Sequence, residues 1–505
     1  MDELQQDVAA LLQTDHDEFE HRVAAEVDTL KAELEVGTFD NTQALIGLEY
    51  EFYGVDDASG ALRRVPRSLL ELIRFEKELG LHNAEFTSSP QPLGPHGLAA
   101  IEHEIQSAVQ TAAAATARVE PIKLVSDGFW VIPPVGETAE EYLSDTTSVN
   151  GFSLATNLSD SPRYHAMEQS RSYQPDCRLD VPNVTAQYQT TVPATLTSSI
   201  QPHYQMPIAA ELPTYFRYAI RIAGPLVALA ANSPLFPPSL YDEDTTVEDV
   251  LARGYFENRV FIYESMMNDS DRAAKVRFPR EIETIAEAVD RVARDPSIVP
   301  AHREVESRFD DTFRHLRHKH GSYWRWVRPV FDGPTRAAAN ARLEFRPLPA
   351  QPTLRDSISL LAAVAGLMEG LVATDHPVTS LPWEQARENF YAAARNGLEA
   401  DMQWITADGH ETTAIEELYT DLFDHAQRGL EKRWFDADTA AAYLYPLRRR
   451  ADRRITPASW KRERLRQYGD RGYSLQEAVM TSQRDYLRAQ DGTLTEGTFA
   501  DWPGV

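Results

Sequence analysis

Gly47-Leu48-Glu49-Tyr50-Glu51-Phe52-Tyr53-Gly54-Val55-Asp56 is the stretch on which the fold turns. Its apolar, β-branched and aromatic residues predict a strand, and alternate side chains leave a strand by opposite faces. Leu48, Tyr50 and Phe52 then face one way and Glu49 and Glu51 the other. Two carboxylates side by side on a largely buried strand repel each other and resist the loss of water. A hard divalent cation, Mg²⁺ or Mn²⁺, removes both objections, because carboxylate oxygens are the ligands it takes. A wet acidic surface strand is the plain alternative, and three later stretches with the same geometry tip the balance against it.

The first is Asn340-Ala341-Arg342-Leu343-Glu344-Phe345-Arg346-Pro347, a short strand stopped by proline, with Glu344 and Arg346 on one face. In Ile200-Gln201-Pro202-His203-Tyr204-Gln205 the polar Gln201, His203 and Gln205 share a face opposite Ile200 and Tyr204. The extended piece His82–Pro90 brings Glu85. A lone histidine on a strand is ordinarily structural. If these strands are neighbours in one sheet, however, their polar faces merge into a basin holding Glu49, Glu51, Glu85, His203 and Glu344.

GLEYEF, AEFTSSP, SIQPHYQ, ANSPLF and RLEFR, in this order and at these separations, resemble the glutamate–cysteine ligase superfamily of carboxylate–amine ligases over about residues 44–375. A sixth stretch, Ser161–Met167, resembles an Arg-Tyr-x-x-Met motif of the same superfamily and offers Arg163. The resemblance implies an α+β fold, a glutamine-synthetase-like antiparallel sheet with flanking helices. It also implies Glu49, Glu51, Glu85, His203 and Glu344 as Mg²⁺ ligands, with Mn²⁺ as the alternative ion. Gln201 and Gln205 would line the nucleotide basin and Arg346 would meet the ATP triphosphate, with Glu49, Glu51 and Arg346 at the catalytic centre. The implied activity is ATP-dependent joining of glutamate and cysteine into γ-glutamylcysteine through an acyl phosphate. The alternatives are a ligase of the same family with another amino acid and amine, and a non-catalytic nucleotide-binding relative. Many members carry a Gly/Ser-rich stretch and an arginine after the Asn-Ser-Pro segment, where this chain runs Pro237–Asp244. Arg253 and Arg259 are the nearest arginines and, with Arg163, the candidates for the amino-acid substrate.

At 505 residues the chain exceeds one small domain. The sequence divides into an amphipathic helical region at 1–43, a catalytic domain at 44–379 with a loop-rich insertion at about 133–193, and a helical carboxy-terminal extension at 380–505. A net charge of −27 argues against nucleic acid as a partner. Small molecules are the expected partners, with homo-oligomerisation left open. Only seven of the 50 basic residues are lysine, a balance that resembles proteins of salt-in halophiles. The single cysteine, Cys177, excludes an internal disulfide framework. The amino terminus lacks the pattern of a secretory signal, and the most apolar runs, Ile222–Ala231 and Ile358–Ala373, are short or interrupted by Pro225 and Glu369. A cytoplasmic protein without a membrane span is expected.

Periodicity further predicts helices over 68–79, 97–118, 214–231, 281–294, 301–318 and 354–373. The His315–His320 run suits a helix end, where cations oppose the helix dipole, better than a metal site. The arginines of 448–454 are expected to pair with carboxylates of this chain or a second copy, and Trp324 and Trp326 to serve core or interface.

Overall fold

Leu45–Asp56 forms the central strand, β1, of an eight-stranded sheet in the computed structural model, which describes residues 2–119, 121–170, 173–269, 271–302 and 307–505. The other strands are β2 (Glu76–Lys77), β3 (Asn83–Thr87), β4 (Gln91–Pro92), β5 (Ile122–Val125), β6 (Ile200–Gln205), β7 (Val327–Asp332) and β8 (Asn340–Phe345). The order is β7-β8-β6-β1-β3-β2, with β4 and β5 also pairing β1, and every pairing is antiparallel. The α+β expectation holds: helices cover one face of the sheet and polar side chains line the other.

The apolar face of β1 explains its central place. Tyr50 and Phe52 are fully buried with their rings stacked at 4.3 Å, and the Tyr50 hydroxyl reaches Ser126 at 2.7 Å. Helices Pro95–Val119, Leu212–Ala230 and Leu354–Ala373 back the sheet, and Ile415–Lys432 packs on Leu354–Ala373. That last contact is backbone to backbone: a Cβ on Gly366, Gly370 or Gly429 would overlap the facing chain. One hydrophobic core runs from Val8 to Leu494, so the amino-terminal and carboxy-terminal segments share the interior of the middle one.

By length and composition Leu354–Ala373 could cross a bilayer, against the expectation that Glu369 interrupts it. Here 89% of its apolar window is buried in the protein. Glu369 is tolerated because Arg433 and Lys432 reach it from the next helix layer and the Tyr204 hydroxyl donates to it at 2.6 Å.

Several local expectations are corrected. The helix expected over 68–79 stops at Ile73, because Arg74 takes a left-handed conformation (φ 59°) and the chain turns into β2. The amino-terminal region is two helices, Asp2–Leu12 and His16–Glu35, the second capped by the Asp15 side chain. The insertion is not structureless: it contains hairpins Thr146–Val149/Phe152–Ala155 and Arg178–Val181/Val184–Gln187 and helix Pro162–Gln169. Of the helix expected over 301–318, residues 303–306 lie outside the described residues; beyond them the chain forms a 3₁₀ turn, Phe309–Phe313, and helix Arg314–His320.

Candidate active site

Register brings the predicted acids together. Glu51 faces Glu85 across β1 and β3, Glu49 faces Gln201 across β1 and β6, and His203 faces Glu344 across β6 and β8. Their shared face opens on a cavity of about 400 Å³, whose lining includes Glu49, Glu78, Glu85, Gln201, Arg163 and Arg346. A narrower recess adjoins it, sharing Glu78 and Arg346 and adding Glu51, Asn83, Arg259 and Trp326.

The charges divide into two groups. On one side Glu344 is neutralised: Arg328 grips it bidentately at 2.8 and 3.0 Å, and Arg346 also pairs with it. Burial opposes its ionisation, but the two guanidinium groups hold its pKa well below the carboxylate range. Arg346 also donates to Gln201 Oε1 at 2.6 Å. Glu49 is likewise kept low, burial being outweighed by His203, whose Nε2 lies 3.1 Å away.

On the other side negative charge is in surplus. Glu51 accepts from the Ser199 N–H and hydroxyl, both at 2.7 Å, yet burial still raises its pKa. Glu78 is pushed up to about 8 by burial and the Glu51 charge. Glu85 is raised further, by burial and by Glu78, Glu49 and Glu51. Carboxylates converging on a cavity without enough cations to match are the donor set of a hard divalent ion, and Glu49, Glu51, Glu78 and Glu85 fit one.

His203 fits less simply. Its Nδ1 accepts from Arg342 Nε at 3.0 Å, and an arginine can only donate, so the ring proton sits on Nε2, toward Glu49. That nitrogen is turned to the Glu49 carboxylate, and it becomes a metal ligand only when Arg342 releases Nδ1. Gln205 lies two pairs further along, opposite Arg342, its buried amide nitrogen unpartnered. Of the three arginines proposed for substrate, Arg259 is buried in the recess wall and Arg163 lines the larger cavity, donating to the His318 carbonyl at 3.0 Å. Arg253 is not brought in; it stands on the exposed helix Val247–Arg253, paired with Asp249 at 2.8 Å.

Glu78, Arg328 and Arg342 are the site residues that sequence reasoning missed. Glu78 was absorbed into a helix that ends before it, and Arg328 lies beside Pro329, which obscures a strand. Proline is acceptable there because β7 is the edge of the sheet. Arg342 stands in the quoted β8 stretch and shares the Glu344 face by simple alternation.

A second set of metal-capable side chains, His376, Asp421 and His425, lies between helix Ile415–Lys432 and the turn that follows Leu354–Ala373. It is closed on itself. Asp421 accepts from Trp404 Nε1 at 2.7 Å and the Ala407 N–H at 3.1 Å and lies 3.0 Å from His376 Nε2. The Val378 N–H donates to His376 Nδ1 at 3.1 Å, which places the ring proton on Nε2 and leaves no lone pair for an ion.

A sequence-family model described as glutamate-cysteine ligase family 2 matches residues 45–482. Over 130 residues, 24% of this chain, the sequence is 30% identical to the "Putative glutamate--cysteine ligase 2" of Trichormus variabilis, and the match spans 30% of that relative's length. Among solved structures, the glutamate–cysteine ligase of Francisella tularensis in complex with AMP superposes with a TM-score of 0.53 and 15% identity, covering 90% of this chain and 91% of that one. At that identity the likeness is one of fold.

Proposed function

Because the chain belongs to glutamate-cysteine ligase family 2, we propose that it is an ATP- and Mg²⁺-dependent carboxylate–amine ligase. The observation that carries this reading is the convergence of Glu49, Glu51, Glu78 and Glu85 on the walls of two adjoining cavities that both present Arg346. Burial and crowding make Glu78 and Glu85 hold protons, and a divalent cation relieves the same crowding by taking the protons' place. Glu49, Glu51, Glu78 and Glu85 would hold Mg²⁺, which would supply the positive charge that phosphoryl transfer needs.

The chain's own residues supply position and enclosure. Arg346, anchored by Glu344 and Gln201, offers its guanidinium to the phosphates. Asn83 Nδ2 is buried without a hydrogen-bond partner, and Arg259, whose Nε lies 3.6 Å from Glu257, lines the same recess. An amide donor beside a guanidinium suits the carboxylates of an amino-acid substrate. Trp324 and Trp326 on the same wall limit the access of water, which would otherwise consume an acyl phosphate before the amine attacks.

Glutamate and cysteine, joined as γ-glutamylcysteine, are the substrates we assign, on the family and the partial likeness to the Trichormus protein. ADP release with Mg²⁺-ATP, glutamate and a panel of amines, with products identified by mass, tests both levels. ADP that depends on glutamate and cysteine, with the γ-glutamylcysteine mass, is expected. ADP with a different amine alone would replace the substrate pair, and absence of ATP binding in Mg²⁺ would end the ligase reading.

A further inference from the structure

A second cavity carries the opposite charge. A groove of about 370 Å³ lies against helix Ile285–Arg294 and the segments around Arg277 and Arg325. Its lining has five arginines, Arg277, Arg280, Arg291, Arg294 and Arg325, and one carboxylate, Asp295. In a chain of net charge −27 this concentration runs against the composition.

The local carboxylates do not balance it. Asp295 is already committed to buried partners, Arg325 Nη2 at 2.6 Å and Lys275. Arg291 is held by Glu287 at 2.6 Å. Arg280 lies over the Trp383 ring at 3.5 Å, with Glu384 no nearer than 3.8 Å. Arg294 approaches only Asp290, at 3.7 Å, and Asp290 is bound to Lys31 at 2.6 Å. Among the described residues the exposed Arg277 side chain has no hydrogen-bond or ion-pair partner, and partial desolvation of its guanidinium together with the Arg325 charge pulls its pKa down. Clustered guanidinium groups raise one another's energy, and among the described residues the carboxylates near them, Glu287 aside, are long-range, shared with other cations or, for Arg277, lacking.

We propose that this groove binds a small multivalent oxyanion, phosphate-bearing or polycarboxylate, at a site separate from the ligase cavity. Planar guanidinium groups take phosphate or carboxylate oxygens in pairs, and the groove has the size of a small-molecule site. It lies directly behind the reaction recess. Arg277 and Arg325 are bridged through their backbones, Val276, Trp324 and Trp326 line the recess side of the same two segments, and Arg325 stands in the wall between the two spaces. The inference does not depend on the ligase reading, since it uses none of that site's acids.

Calorimetric titration of pyrophosphate, and separately of citrate, into the full-length chain at low salt tests it, with divalent ions removed beforehand on a chelating resin. Without metal the carboxylate-lined cavity offers the probes no bridging cation. One site is expected for at least one probe, which identifies the anion source. Affinity should fall about tenfold or more in the Arg277→Ala/Arg294→Ala variant and change by less than about twofold in Arg346→Ala. Both groove arginines lie at the surface and make no short contact, so the double variant should fold, and circular dichroism checks this. No binding of either probe, unchanged affinity in the double variant, or loss in Arg346→Ala would overturn the proposal.

Discussion

Glu51 and Glu85 are direct cross-strand partners, two carboxylates opposed on neighbouring strands at the centre of the sheet. Opposed like charges weaken a strand pair, and burial raises both pKa values, so the arrangement costs stability unless a cation is shared. Glu85→Gln should therefore raise the metal-free melting temperature, by about 1–2 °C, while losing most of the stabilisation that Mg²⁺ gives the parent protein. Calorimetric melts with chelator and with Mg²⁺ measure both. A Mg²⁺ shift that survives intact in Glu85→Gln would remove this residue from the ligand set.

Glu344 behaves differently because arginines already neutralise it. Arg328→Ala strips away the bidentate partner and leaves a buried carboxylate under-compensated, at a cost of about 3 kcal/mol. Adding Glu344→Gln to that variant should recover much of the loss in chemical denaturation. Glu344→Gln alone, like Glu49→Gln, should keep the fold and abolish Mg²⁺-dependent turnover. A double variant no more stable than Arg328→Ala would mean that the arginine matters through its other bonds, to the carbonyls of His320 and Tyr323.

The legible parts of the site were those where alternation is clean. β1, β6 and β8 each set polar against apolar side chains, so their faces and the meeting of Glu49, Glu51, His203 and Glu344 arise from the pleat. Glu78 was hidden by a helical pattern that a single left-handed residue, Arg74, cuts short. The insertion carried signals that went unused. Asn150-Gly151 (φ 48° and 88°) makes a tight hairpin turn, and Pro182-Asn183 (Asn183 φ 70°) turns the other hairpin. The pairing of Glu369 with Arg433 was not legible at all, because nothing local links residues 64 positions apart.

Glu264 gives a pH dependence remote from the metal-type acids. It accepts from Trp326 Nε1 at 2.7 Å and the Tyr391 hydroxyl at 2.8 Å, but burial still pushes its pKa up to about 7. In the unfolded chain it titrates near 4.5. Between these values the folded protein keeps a proton that the unfolded chain releases, so stability falls as pH rises through the window and levels off above it. The slope is at most about 1.4 kcal/mol per pH unit, reduced because the side chain is partly exposed. Urea midpoints across this range should show the slope in the parent protein and a flatter profile in Glu264→Gln. Equal slopes would assign the dependence to other groups.

Salt should stabilise this protein, and the reason lies in where its charges sit. The surface carries most of a net charge of −27, and its self-repulsion is screened as the Debye length falls from about 10 Å at 0.1 M to about 3 Å at 1 M. Two internal pairs, Arg450 with Asp356 and Lys461 with Asp127, are buried, and a third, Arg433 with Glu369, is largely so; they tie the carboxy-terminal helices to helix Leu354–Ala373 and to the segment that follows β5. Salt barely screens buried pairs, whereas exposed pairs such as Arg67–Glu71 contribute little to begin with. Raising KCl from about 0.1 to about 2 M should therefore lift the melting temperature by about 5 °C, and NaCl should match it because the effect is screening. A melting temperature indifferent to salt would mean that surface repulsion is not a significant term in the stability of this fold. A gain seen in KCl alone would point instead to specific ion binding.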